Sequence, residues 1–350
     1  MAAPSPTSSS ERITGRTGEP MTRRHAPVSS GTPGRIRVAA FDGEALHELE
    51  GDAALGRLPA LLEARATTVW VDLADPSPGQ VEAIGGMLRL HPLIVEDVLE
   101  GNQRAKIETT DGVIHLVLFA LTHGKRFVAS EIDLVLGAGF LLTVHDDAWD
   151  PRAAHHLRSG PGAMLAHGPD HLLWAISDEI VDGYFPFADQ LGDEIDTVQD
   201  QIISKPTNEA LDRLFSLKRE LIEVRRAASP TREVFAQLTN RDLALIDAEE
   251  VVYFRDIYDH VIRLTDEMDS YRELASSTLE VYLTQINNQL SVIMKRLTGV
   301  TVILAGIGAV AGIFGMSEAA VEAGNFWLVT GIIVAIAAAA AFVLRRIDWI

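Results

Sequence analysis

The chain has no cysteine, which excludes disulfides, thiolate metal sites and cysteine nucleophiles. It has no histidine after His260, no proline after Pro230, and neither glycine nor proline from Thr231 to Thr298. The missing histidines leave the C-terminal part without soft zinc ligands. The missing glycines and prolines remove the residues that penalise a helix interior most. The first ~34 residues are rich in Ser, Thr, Pro, Gly and Arg and lack the apolar run of a secretory signal, so residues 1–34 are expected to be a disordered, cytoplasmic tail. No glycine-rich phosphate loop is present, and His91, Glu96 and Asp97 have no nucleophile–base companions, so an enzyme is not expected. Positive charge is scarce, with 30 Lys and Arg against 49 Asp and Glu and a net charge of −19. That balance argues against nucleic acid and favours cations as partners.

Long uncharged runs, by contrast, are concentrated at the C-terminus. Residues 297–316 (LTGVTVILAGIGAVAGIFGM) and 326–344 (FWLVTGIIVAIAAAAAFVL) carry no charge, and each matches the ~20 residues a helix needs to cross a bilayer. Lys295 and Arg296 precede the first run and Arg345 and Arg346 follow the second, while the connecting segment 317–325 carries Glu318 and Glu322 and no basic residue. The positive-inside rule then predicts a multi-pass protein of the cell (inner or plasma) membrane, with both termini cytoplasmic.

Upstream of the spans, residues 35–150 predict a mixed α/β domain, with strands at 68–73, 113–119, 131–136 and 140–144 and helices at 58–65 and 77–90. Residues 165–230 predict an acidic helical hairpin, one arm over 171–204 and the other over 208–228, ending near Pro230. A stalk is expected over 231–296, with one helix from about Glu250 running into the first span; at 1.5 Å per residue it is about 100 Å long. Its seam is Ile257, Val261, Leu264, Met268, Tyr271, Ala275, Thr278 and Tyr282, continued by Leu283, Ile286, Leu290, Ile293 and Leu297. Alternating steps of four and three are a heptad pattern, and a helix this long is expected to pack against identical neighbours. Two spans per chain cannot enclose an aqueous path, but one span from each of several copies can. The first span suits that role, because Gly308 and Gly312 allow close helix approach.

Nine segments in order carry a resemblance to a known family. They are WVDLADP (70–76), LHPLIVEDV (90–98), QRAKIE (103–108), YFP (184–186), LKRE (217–220), FRDIYDH (254–260), VYL (281–283), MKRLT (294–298) and AGIFGM (311–316). In this order, before a C-terminal hairpin, they make the chain resemble the CorA family of divalent-cation transporters. The resemblance implies an α+β cytoplasmic domain, a long helical stalk and two C-terminal transmembrane helices, assembled as a funnel-shaped homopentamer with the first span lining the pore. It implies passive Mg2+ uptake, with Co2+, Ni2+ or Zn2+ as further ions, and regulatory Mg2+ between subunits. The candidates for that regulatory site are Glu96 and Asp97, Asp256, and Glu280 nearer the membrane.

The family signature at the outer pore mouth is Gly-Met-Asn, and here it is Gly315, Met316 and Ser317. Ser291 likewise stands where the family often has Asn, and Gly306 and Gly308 where it has Pro and then Thr. These departures keep a pore-sized helix while removing large polar groups, which leaves the ion open. A ring of neutral oxygens suits hydrated Mg2+ better than a charged cage, and Glu318 and Glu322 are expected to concentrate cations at the mouth. A zinc transporter of the ZntB type and a non-conducting membrane-anchored scaffold or sensor are the alternatives. His155, His156, His167 and His171 do not form a closed ligand set by spacing.

Overall fold

The computed structural model describes residues 34–64, 67–101, 104–122, 128–240, 243–315 and 323–346. They fall into two compact units, Met1–Gly192 with Arg219–Tyr271, and Asp193–Lys218 with Arg272–Ile350.

The first unit is built on a seven-stranded sheet in the order β2-β1-β3-β7-β6-β5-β4. Its strands are β1 (Arg35–Phe41), β2 (Leu46–Glu50), β3 (Thr68–Ala74), β4 (Lys106–Thr110), β5 (Val113–Thr122), β6 (Val128–Gly137) and β7 (Phe140–His145). Only β3 and β7 pair in parallel, at the centre. β5 is buried along nearly its whole length, as a continuously apolar strand must be when both faces are covered. β1, β2 and β4 lie outside the strands the sequence predicts. β2 and β4 are half-exposed edge strands rich in charge and hydroxyl groups, which weakens the period-two signal.

One sheet face carries α1 (Gly51–Glu63), α2 (Pro78–Met87) and α3 (Pro92–Glu100), over a core that includes Val38, Leu58, Val71, Ile84, Val98 and Leu142. α2 starts as its sequence dictates. Pro78 occupies the first turn, and the Ser77 side chain accepts from Gln80 N while Gln80 Oε1 accepts from Ser77 N at 2.8 Å. The other face is packed by α5 (Pro169–Asp182), which follows the short α4 (Gly162–His167).

The expected arm over 171–204 is two helices, α5 and α6 (Phe185–Ser204). Pro186 explains the break: it has no N–H to give to Asp182 O, and its ring excludes that carbonyl. Tyr184 fills the corner, fully buried and donating to Phe119 O at 2.6 Å, and burial pushes its phenol pKa up.

The second arm does not stop near Pro230. α7 runs Asn208–Asn240 through it. Ala227, Ala228, Thr231, Val234, Phe235 and Leu238 are all buried, so one helical face is covered on both sides of the proline. Burial of that face outweighs the ~3 kcal/mol an interior proline costs. Residues 231–240 therefore belong to α7 rather than to the stalk. After a turn-rich link, α8 begins at Val251 and runs unbroken to Gly315.

The α8 seam is already filled within the chain over much of its length. Ile257, Val261, Leu264 and Met268 are buried in the first unit, and Ala275, Thr278 and Tyr282 in the second. In the second unit Thr278 Oγ1 donates to Gln199 Oε1 at 3.1 Å. Over this upper part α6 and α7 supply cover for the seam within the chain. Beyond Tyr282 the seam is largely exposed: Ile286 is half-buried, but Leu283 is 54%, Leu290 52%, Ile293 59% and Leu297 65% exposed. α9 (Ala323–Arg346) completes the described chain.

Candidate functional site

α8 is long and apolar enough to cross a membrane, the one such helix among the described residues. Its apolar end is open: Val300, Val302 and Leu304 are exposed, and a Cβ added at Gly306, Gly308 or Gly312 would meet nothing within 4 Å. Among the described residues, then, no neighbour needs these glycines to be small. Ser291 and Glu280 are also exposed on α8. On α9, Trp327, Leu328, Val334 and Phe342 are exposed. Continuous bare apolar surface of this kind marks contact with lipid or with another chain. Gly315 is the last residue of α8, whereas Met316, Ser317, Glu318 and Glu322 lie outside the described residues, as does the tail 1–33.

The regulatory candidates sit in the first unit. α3 is started by His91, whose Nδ1 accepts from Leu93 N at 3.2 Å, with Pro92 in the first turn. Glu96 points outward, exposed. Asp97 is half-buried and ion-paired with Lys106, whose Nζ also lies 3.3 Å from Glu108 Oε1. Burial alone would push the Lys106 ammonium down, but Asp97 and Glu108 outweigh it and raise its pKa. Asp256, on α8, has a different partner. Its Oδ2 lies 3.7 Å from His260 Nε2, and His260 Nδ1 lies 3.5 Å from Asp182 Oδ1.

Asp256 and His260 are four apart on α8, and Asp178 and Asp182 four apart on α5, so each pair shares a helix face. Burial and the neighbouring Asp178 carboxylate raise the Asp182 pKa, a repulsion that a bound cation relieves. Asp178, Asp182 and His260 each place a donor atom within 4.8 Å of the others. The four-residue spacing was the signal in the sequence that could have found this group.

The four upstream histidines lie along one aromatic cluster but turn their ring nitrogens to different partners. His156 Nε2 lies 3.1 Å from Asp178 Oδ2, His171 Nδ1 lies 2.8 Å from Glu250 Oε2, and His167 Nδ1 faces Ala163 O. Trp174 stacks between His156 and His171, with ring centroids 4.7 and 4.9 Å away. They are part of an aromatic cluster that fixes α5 to the start of α8 rather than a shared metal site.

Beneath α5 the sheet holds a buried charged network. In register across β1, β3 and β7 stand Arg37, Asp72 and Thr143. Arg37 Nε donates to Asp72 Oδ2 at 2.8 Å, Thr143 Oγ1 donates to Asp72 Oδ1 at 2.6 Å, and His145 Nε2 lies 3.1 Å from the same oxygen. Arg37 also grips Asp150 with both terminal nitrogens, at 3.0 and 2.8 Å. Although Asp72, His145 and Asp150 bring donor atoms together, the Arg37 guanidinium occupies the place of a cation there, and the network is structural.

Burial would raise the Asp72 pKa and lower that of His145. The hydrogen bond and opposite charge between them outweigh it, so Asp72 lies below 3.8 and His145 above 6.5. A lowered carboxylate stabilises the fold above its unfolded pKa and loses that stabilisation as pH falls through the folded value. A raised imidazole stabilises below its unfolded pKa and loses that as pH rises through the folded value. Both contributions are present between pH 3.8 and 6.5. The parent is expected to lose stability relative to His145→Gln as pH climbs above 6.5, and unfolding midpoints that run parallel from pH 5 to about 9 would remove the assignment.

Comparisons with known proteins bear on the family and the fold. The family described as CorA-like Mg2+ transporter protein matches residues 65–346. The cobalt/magnesium transport protein CorA of Thermotoga maritima is 32% identical over 259 residues, covering 72% of this chain and 74% of the relative. The protein of that name from Methanocaldococcus jannaschii is 24% identical over 289 residues, covering 81% and 91%. The complete structure of the Methanocaldococcus jannaschii CorA magnesium transporter superposes with a TM-score of 0.75 at 22% identity, covering 90% of this chain and 98% of that one. The ZntB cytoplasmic domain of Vibrio parahaemolyticus gives 0.55 at 12% identity, covering 72% and 99%, a likeness of fold alone.

Proposed function

Since the chain belongs to the CorA-like Mg2+ transporter family and is a membrane transporter of divalent metal cations, we propose that its cargo is Mg2+, taken up passively through a homopentameric pore. The observation that carries this reading is the exposed lower seam of α8, continuous with a span in which Gly306, Gly308 and Gly312 meet nothing among the described residues. In the proposed pentamer, copies of α8 meet along that seam, the span 297–316 lines the axis and 326–344 forms an outer ring, with both termini cytoplasmic. No cofactor is needed to drive uptake. A divalent ion moving inward gains about 2.3 kcal/mol per charge per 100 mV, roughly 4–5 kcal/mol in all.

Cytoplasmic Mg2+ closes this pore in the proposed mechanism. Asp256 is 69% exposed and free to meet a carboxylate of a neighbouring copy, and a divalent ion relieves the repulsion between them. Asp97, with Glu96 beside it on α3, is the proposed counterpart, and Glu280 a second position nearer the membrane. Lys106 must release Asp97 for that to happen. Co2+ and Ni2+ follow Mg2+ through a Ser317 ring of neutral oxygens, toward which Glu318 and Glu322 draw cations. A zinc-selective pore is the second reading; the lack of His and Cys beyond residue 260 counts against it, since it leaves soft-ligand selection no donors in the span.

Purified protein in liposomes is expected to admit Mg2+ under an inside-negative potential. Entry of Zn2+ without Mg2+ would establish the second reading, and passage of neither ion would overturn transport through this pore. Ser317→Asn is expected to raise the permeability ratio of Mg2+ over larger divalent ions, since an amide carbonyl on a longer arm reaches the hydration shell of an ion on the axis. Equal ratios in the variant and the parent would exclude Ser317 from the selectivity ring.

A further inference from the structure

Where α3 passes over the β4–β5 edge lie two side chains, Glu108 and His115, that neither the pore nor the proposed inter-subunit contact uses. Glu108 and His115 are directly opposed across the two strands. With Asp97 from α3 they each place a donor atom within 4.8 Å of the others. His115 is fully buried, and its Nε2 lies 2.7 Å from Asp133 Oδ1, while its Nδ1 has no hydrogen-bond partner among the described residues. A carboxylate on one imidazole nitrogen sets the tautomer: Nε2 donates, and Nδ1 is left with its lone pair. A buried lone pair without a donor costs free energy unless something binds it.

The carboxylates, for their part, already hold a cation. The Lys106 ammonium is paired with Asp97 and lies 3.3 Å from Glu108, where a metal ion on those two oxygens would be. One imidazole and two carboxylates form a donor set for borderline divalent ions, whereas Mg2+ prefers oxygen alone and keeps its water.

We propose that Asp97, Glu108 and His115 form a transition-metal site within one chain, taking Co2+, Ni2+ or Zn2+, and that Lys106 is a tethered competitor such an ion must displace. The site needs no second copy and no open pore. It shares Asp97 with the proposed Mg2+ contact, so borderline metals and Mg2+ compete for one carboxylate while the other donors differ.

The test is Co2+ binding to the full-length protein in detergent, followed by its visible absorption. Lys106→Met is expected to tighten Co2+ binding about tenfold or more, because the ion no longer has to expel an ammonium from two carboxylates. Adding His115→Phe to that variant should reverse the gain, and Asp256→Ala should leave it intact, which separates this site from the inter-subunit one. Unchanged Co2+ affinity in Lys106→Met overturns the proposal. Should the His115 variant fail to fold, hydrogen exchange on Lys106→Met locates the ion without it: Co2+ should slow exchange in β4 and β5, and slowing confined to α5 and α8 overturns the site.

Discussion

Asp72→Ala is expected to cost about 3–5 kcal/mol of local stability, the usual penalty for removing one partner of a buried charge network. The carboxylate is fully buried and is the only acceptor that Arg37 Nε, Thr143 Oγ1 and His145 Nε2 share among the described residues. Without it, Arg37 keeps Asp150 but turns a buried Nε toward an apolar methyl, and His145 loses the charge that holds it protonated. Hydrogen exchange over β1, β3 and β7 reads the effect directly, with protection falling roughly a hundredfold to a few thousandfold. Thr143→Val should cost far less, about 1–3 kcal/mol, because it removes one neutral donor and leaves the charges paired. Equal protection in Asp72→Ala and the parent would mean that the network does not hold the sheet together.

The second large effect is on transport. Asp97→Ala combined with Asp256→Ala is expected to leave the reconstituted pore conducting at internal Mg2+ concentrations that shut the parent. Moving a gate from almost all open to almost all closed takes about a 10⁴-fold difference in affinity between the two states. A pentamer with one site per interface reaches that with less than about tenfold preference at each, so losing all five abolishes closure rather than weakening it. Flux measured against internal Mg2+ decides the matter, and an inhibition curve unchanged from the parent would remove both aspartates from the gate. The single variant Asp97→Ala also frees Lys106 to pair with Glu108 alone, so Asp256→Ala is the cleaner single test.

Much of this molecule was legible before any coordinates. The central strands β3, β5, β6 and β7 declare themselves by apolar runs bounded by turns, and α8 by a long stretch free of helix breakers together with its apolar periodicity. Three strands, α3, the start of α1 at Gly51 rather than Leu58, and two further helix boundaries were not. β2 and β4 are charged edge strands that only pairing reveals. Pro186 ends one helix and Pro230 does not end another, although the local chemistry of the two prolines is the same. Burial around Pro230 decides between them, and burial is a property of the packed chain.

The candidate sites divide along the same line. Asp97 and Asp256 were visible as acidic residues in matched segments, and the i,i+4 spacing placed His260 beside the second, but nothing in the sequence announces Lys106 on the first. The Arg37–Asp72–His145 network joins residues 35 and 73 positions apart, and Glu108 meets His115 only because β4 and β5 pair in one register.

Composition, charge and periodicity by themselves determined the class of this protein: acidic, free of cysteine, with a helix that runs into an uncharged C-terminal stretch and the ordered segments of the CorA-like family. Those are local properties, since hydropathy and helix propensity act within a few turns of chain. Which carboxylates are free and which are already neutralised was decided by the tertiary structure alone. A charge interacts with whatever the fold brings within a few ångströms, and sheet register and helix packing set those neighbours across many residues of sequence.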